Sequence, residues 1–469
     1  MGPVAAQPAQ QQAEAEPPIH LMGTKDSVTL RRWGKRVYLR LGVQAATGDS
    51  PFEIWSRRAS YSDPIEAARV VNRGGSTHEE PLPDGLLENF RGLPDFTRVI
   101  VRNANGRKVV DRTKRWCPNG GGARTTPDAP ASSPYPRSCP GNRWTLGSVW
   151  GVPEGWRTSL WNGWGMRARL PVGRYTAVVW ITKEYREIFD IPRKQGKVTV
   201  KVRVRDGGRD GGGFVASHRT AAAQAQSPDP QPSAREPGGR ERTPQGPRPD
   251  LRALPAWAVR TASPGDRDFL RFAANVWNAG PSPLVVDGFR REGEDVMDAY
   301  QFFYNEDGEQ VGYANTGTME WDARDGHRHW HFTDFARYRL LDADGELAVR
   351  SHKEAFCLAN TDAIDYTVDN ANWRPGGTDL HTACGGKGAL SVREVLDVGS
   401  GDTYYQYTPG QSFNITNLPN GTYYIEVTAN PDGRLYETSM DNNVTLRKVV
   451  LKGRPGDRKV VVKPYVDPS

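Results

Sequence analysis

The chain has 469 residues, with 62 basic and 55 acidic side chains and a formal net charge of +7. At roughly 150 residues per domain, that length allows two or three domains, each able to bury an ordinary core. No run approaches about 18 consecutive apolar residues, which excludes a membrane-spanning helix. The charge is unevenly spread: 33 Lys/Arg against 18 Asp/Glu in residues 1–205, 6 against 6 in 206–250, and 23 against 31 in 251–469. The residues that carry chemistry lie in the acidic part and no nucleic-acid-binding motif is recognisable, so a nucleic-acid partner is not expected.

In chain order, residues 1–23 lack a basic n-region and an apolar h-region, so no signal peptide is visible, and their composition is that of a disordered tail. Residues 24–205 read as a basic, Trp-rich β domain. Alternation of β-branched and aromatic residues marks strands such as Phe96–Asn103 and the KVTVKVRV run, while Pro64–Gly74 is the best short helix. Trp144, Trp150, Trp156, Trp161 and Trp164 fall among Gly and Pro, a pattern of loops. They either close the core or, if exposed, stack on sugars or rings of a partner; with the basic surroundings that partner would be an anionic extracellular polymer. Residues 206–250 contain 8 Gly and 7 Pro and read as a long disordered linker.

Residues 251–455 again alternate as strands, and 456–469 form a carboxy-terminal extension. The expected fold is all-β, two antiparallel β-sandwich-like domains joined by that linker. The two units share an echo, Leu170-Pro-Val-Gly-Arg-Tyr175 and Leu418-Pro-Asn-Gly-Thr-Tyr423, each leading into a strand. Cys117 and Cys139, then Cys357 and Cys384, are spaced for one local disulfide per domain, and none forms a C-x-x-C pair. Two disulfides imply an oxidising compartment, and buried free thiols are the alternative.

Three histidines lie within five residues: His327, His329 and His331 in DGHRHWHF. On a strand, positions i, i+2 and i+4 share a face, and a bend there brings three imidazoles to one ion. An all-nitrogen set suits copper or zinc in a catalytic site.

These residues and those around them resemble the lysyl oxidase family, the copper- and quinone-dependent amine oxidases. The histidines precede Phe335-Ala-Arg-Tyr338-Arg-Leu-Leu-Asp342, as in the family's copper motif, and follow Glu320-Trp321. His352-Lys353-Glu-Ala-Phe-Cys357-Leu358, Asp402-Thr403-Tyr404 and the stretch from Asn414 to Val444 follow in the family's order, so the resemblance covers about residues 248–450. It implies copper held by His327, His329 and His331, and a lysine tyrosylquinone made from the side chains of Lys353 and Tyr404. The implied activity is that of a protein-lysine 6-oxidase: a primary amine, including peptidyl lysine, is oxidised to an aldehyde, with release of ammonia and hydrogen peroxide. It also implies a secreted or extracellular protein. Glu320, Asp325, Asp334 and Asp402 are the carboxylates available as catalytic base.

The chain departs from animal members in having Arg337 where they have histidine, in carrying only Cys357 and Cys384 in this region, and in Tyr405-Gln406-Tyr407 after Tyr404. The competing readings are a metal-binding β-sandwich without a quinone, and a cell-surface adhesion protein with an inactive oxidase-like domain.

Overall fold

The computed structural model describes residues 17–73, 76–161, 165–207, 242–243, 245–305, 307–324, 328–333, 335–351, 355–406 and 411–465. The fold is all-β. Among the described residues the α-helical segment is Lys183–Ile188, whose Tyr185 is buried against Phe96 and Phe189. Three sheets take their strands from residues 20–206 and three from 251–462, each set around its own apolar core.

In the first set, a seven-stranded sheet runs Met166–Ala168, Arg36–Leu39, Ser27–Trp33, Lys197–Asp206, Gly173–Ile181, Leu93–Asn103, Lys108–Trp116. Two four-stranded sheets cover its inner face. Lys197–Asp206 lies parallel to Ser27–Trp33, a departure from the antiparallel pairing expected. In the second set, a six-stranded sheet runs Ala355–Phe356, His329–Thr333, Gln310–Asp322, Val296–Tyr304, Leu284–Arg290, Ser391–Leu396. It curls until its edges nearly meet: Ala383 pairs with Arg393 on one edge, and the neighbouring Cys384 carbonyl accepts from the Trp330 amide on the other.

The shared echo has a physical basis. The Tyr175 hydroxyl donates to the Pro171 carbonyl at 2.8 Å, and the Tyr423 hydroxyl donates to the Pro419 carbonyl at 2.9 Å. Each buried tyrosine pins the turn that feeds its strand, the tyrosine-corner device of β-sandwiches.

Several expectations change. Pro64–Gly74 is not helical: Glu66–Arg73 is a strand paired with Phe52–Arg57 and Ser76–Pro81. A segment this short cannot sustain a helix alone, and Val70 and Val71 favour the pleated partner surfaces on offer. The amino-terminal tail is shorter than composition implies, because His20–Gly23 pairs with Val43–Ala46. The far end of the linker is also structured: the Asp250 carboxylate accepts from Asn442 and Arg252. Asp457–Val462 adds a strand to the Val444–Arg454 edge, beyond residue 455 where composition closed the unit. Most of 206–250, from 208 to 241, lies outside the described residues.

The described tryptophans of 144–161 are not exposed. Trp144 and Trp150 are buried, while Trp156 and Trp161 pack against the core; Trp164 lies outside the described residues. They close the fold, as loops rich in large apolar rings do when a core is within reach. Cys117–Cys139 and Cys357–Cys384 both form disulfides, one per unit.

Candidate active site

The site is built on the strand His329–Thr333 and its neighbours. Its sequence, HWHFT, alternates so that Trp330 and Phe332 enter the core while His329 and His331 share the opposite face. Both faces are covered, and His331 is only 2% exposed. The two imidazole centroids are 4.7 Å apart, close enough for both rings to face one ion. Arg328, between His327 and His329, has φ 46°, a left-handed conformation costly for a residue with a side chain. The backbone therefore changes direction immediately before the strand. His327 itself lies outside the described residues.

The adjacent strand Gln310–Asp322 sets Glu320 opposite His331 and Asp322 opposite His329. Asp322 Oδ2 lies 3.4 Å from His331 Nδ1, and the same carboxylate holds the Arg324 guanidinium at 2.6 Å. A carboxylate at Nδ1 favours the tautomer protonated there, which leaves Nε2 in the lone-pair form that ligates metals. Asp322 was not singled out from sequence, although its place two residues after Glu320 on one strand face is a legible signal. Glu320 is exposed.

Tyr404 ends the strand Ser400–Tyr404. Its hydroxyl donates to the Cys357 carbonyl at 3.0 Å, and its ring meets Phe356 edge-on at 4.8 Å. Phe356 pairs with Phe332, and Ala355 pairs with Thr333. Tyr404 thus touches the segment that begins two residues after Lys353, and that segment is hydrogen-bonded to the histidine strand. Lys353 lies outside the described residues. Burial of the phenol end pushes the Tyr404 hydroxyl well above its ordinary pKa, and the hydrogen-bonded Asp402 carboxylate adds to the effect, so the phenol is held protonated.

Of the four carboxylates considered as base, Asp402 is the one brought to the Tyr404 hydroxyl. Glu320 faces solvent, and Asp325 and Asp334 lie outside the described residues. Arg337, in place of the family's histidine, pairs with Asp432.

A second buried carboxylate ties the site together. Glu394, 0% exposed, accepts from the Phe332 amide at 3.2 Å and from the Leu358 amide at 2.9 Å. Burial raises its pKa well above the usual carboxylate range. Sequence reading missed it, but the Val392-x-Glu394-x-Leu396 alternation sets a charged group on the inward face of a strand, which is the signal.

Comparison with known proteins turns this geometry into a family assignment. The lysyl oxidase family model matches residues 303–460, which include the histidine strand, Cys357 and Tyr404. Residues 303–460 carry the lysyl oxidase family pattern. The chain is 31% identical over 130 residues to lysyl oxidase homolog 4 of Homo sapiens, 28% of this chain and 15% of that protein. It is 31% identical over 136 residues to lysyl oxidase homolog 1 of Homo sapiens, 29% of this chain and 21% of that one. It is 26% identical over 196 residues to lysyl oxidase homolog 2 of Rattus norvegicus, 41% of this chain and 19% of that one. The matched region thus spans a fifth or less of most of these relatives. The lysyl oxidase match begins at 303, inside the six-stranded sheet, so strands from Leu251 to Val296 complete a unit only partly covered by the family pattern.

Proposed function

We propose that the protein is a secreted copper-dependent amine oxidase that converts primary amines, peptidyl lysine among them, to aldehydes. The observation that carries this reading is the Tyr404 hydroxyl on the Cys357 carbonyl, with Phe356 paired to Phe332 of the histidine strand. It supports a tyrosine, the chain leaving Lys353 and a histidine cluster working at one place. The donor set fits copper: two imidazoles of one strand face, with a carboxylate behind Nδ1 of the buried one.

Copper with dioxygen would supply the oxidation of the Tyr404 ring to a quinone that takes up the Lys353 amine, and this lysine tyrosylquinone would accept electrons from the amine substrate before dioxygen removes them as hydrogen peroxide. His327, His329 and His331 are assigned to the metal. The Cys357 carbonyl and Phe356 ring hold the phenol in one orientation, and Asp402, hydrogen-bonded to it, is assigned the phenolic proton. Secretion is supported by the two disulfides, and among the described residues no helix is long and apolar enough to cross a membrane.

The test is peptide mass mapping of copper-reconstituted protein, together with amine-dependent peroxide release. The expected result is a Lys353–Tyr404 cross-linked peptide in wild type and its absence in His331→Ala. Copper retention with an unmodified Tyr404 peptide and no peroxide would instead leave the metal-binding sandwich without a quinone.

For the amino-terminal unit, the anionic-polymer proposal now rests on charge rather than on tryptophan. Arg31, Lys197, Lys201, Arg203 and Arg205 all stand exposed on one face of the seven-stranded sheet. Retention on immobilised heparin should fall steeply with salt, and charge reversal of Lys201 and Arg203 together should abolish it. Unchanged retention would show that this face is not the binding surface.

A further inference from the structure

The two units are not merely tethered. Residues 361–366 form a strap with the amino-terminal unit on one side and the Tyr404 strand on the other. Toward the amino-terminal unit, the amides of Leu146 and Gly147 donate to the Ile364 carbonyl at 2.7 and 3.2 Å. The Tyr366 amide donates to the Gly147 carbonyl at 3.1 Å, and the Thr145 hydroxyl to the Ala363 carbonyl at 3.1 Å.

Toward the Tyr404 strand, Asp362 and Ala363 pair with Gly401 and Ser400, and the amides of Ile364 and Asp365 both donate to the Gly399 carbonyl. The Thr361 hydroxyl receives the Thr403 amide at 2.6 Å. Through the strap, the sheet carrying Tyr404 and the sheet containing Gly147–Val152 share a main-chain seam.

Close approach is what Gly147 is for. A Cβ there would stand 2.0 Å from Asp365 Oδ1 and 2.3 Å from Thr367 Oγ1. Apolar contacts flank the seam on both sides: Trp144 with Tyr61 and Tyr465, and Tyr135 with Trp373.

A side-chain chain runs through the same seam. The Asn142 side-chain oxygen accepts from the Trp144 amide, and its amide group faces the Asp362 carboxylate, favouring its charged form. Asp362 also accepts from the Thr403 hydroxyl, which in turn receives Asn275 Nδ2 at 2.8 Å. Thr403 immediately precedes Tyr404. Asn142, from the amino-terminal unit, is therefore two side chains away from the residue next to the tyrosine.

We propose that the amino-terminal unit is a positioning element of the oxidase site: docked through residues 142–147 on the strap 361–366, it fixes the Tyr404 strand, with Asn142, Asp362 and Thr403 as positioning residues. The effect on turnover rests on Tyr404 being the cofactor tyrosine; the docking itself does not.

The experiment uses the full chain carrying Gly147→Val, Asn142→Asp, Thr403→Val or Thr403→Ser. Asn142→Asp keeps the acceptor for the Trp144 amide but turns a donor into a charge facing Asp362. Hydrogen exchange of residues 399–404 is read beside kcat and KM for n-butylamine. The expected result is at least tenfold faster exchange in Gly147→Val, Asn142→Asp and Thr403→Val. In the last two, kcat should fall at least tenfold with KM within twofold of wild type, and Thr403→Ser should remain close to wild type in both readouts. Wild-type exchange at 399–404 in both Gly147→Val and Asn142→Asp overturns the proposal, whatever the protein oxidises. Faster exchange with kcat unchanged overturns the positioning role. If wild type neither cross-links nor releases peroxide, the oxidase reading falls, and the positioning role falls with it, while exchange alone still decides the docking.

Discussion

Replacing Tyr404 by phenylalanine is expected to abolish both the cross-linked peptide and amine-dependent peroxide release, a loss of at least about 10⁴-fold, while leaving the fold intact. The chemistry requires a phenol, because only the hydroxyl-bearing ring can be oxidised to an electrophile for the lysine amine, so the loss is one of kind rather than degree. The structural cost is small. The hydroxyl's hydrogen bonds to the Cys357 carbonyl and the Asp402 carboxylate disappear, together worth about 2 kcal/mol net, and the edge-on packing against Phe356 remains available. Thermal unfolding of the variant should therefore shift by only a few degrees. Tyr338 is the internal control, since it is buried, where Tyr404 is half-buried, and also lies near Asp402. Tyr338→Phe should keep the cross-link, and a cross-link surviving in Tyr404→Phe would move the cofactor to another tyrosine.

The second large effect is at Glu394, where the expected consequence is on stability. Glu394→Ala leaves the amides of Phe332 and Leu358 buried without an acceptor. Each such group costs about 1–3 kcal/mol, and the cavity adds to that. A loss of about 4 kcal/mol follows, a large share of the total for a domain of ordinary stability. Urea denaturation is the measurement, and the histidine strand should be the first element to lose protection.

The pH dependence is set by the raised pKa. The carboxyl is held protonated in the fold at pH values where the unfolded chain has ionised it. Its contribution is complete below the unfolded value of about 4.3 and is lost as pH rises toward the folded one. The stability gap between wild type and Glu394→Gln should therefore narrow as pH increases. A gap that widens would mean that the ionised carboxylate is the stabilising form.

Two of the site's carboxylates divide the work around Cys357. Glu394 joins the histidine strand to the segment after Cys357, while Asp402 addresses the Tyr404 phenol. Cys357 stands at the crossing point: its carbonyl accepts from Tyr404, and its disulfide partner Cys384 accepts from the Trp330 amide of the histidine strand. With only this disulfide in the unit, the covalent link lies in the segment that both Tyr404 and the histidine strand contact.

What the sequence by itself determined is whatever depends on local period and residue type. Alternation gave the all-β class, the spacing of His329 and His331 gave their shared strand face, and the Leu-Pro-x-Gly-x-Tyr runs gave the two turns that lead into strands. Cysteine spacing gave both disulfides. Local signals failed where partners decide the outcome. Glu66–Arg73 is a strand because two neighbours offer it hydrogen-bonding edges, and four tryptophans are covered because a core and a second unit lie against them. The tertiary structure alone decided that Tyr404, 47 residues from Cys357, would meet its carbonyl, and that Asn142 would reach Asp362 across the seam. Contacts between residues this far apart in sequence are set by how sheets curl and dock, and no local pattern encodes them.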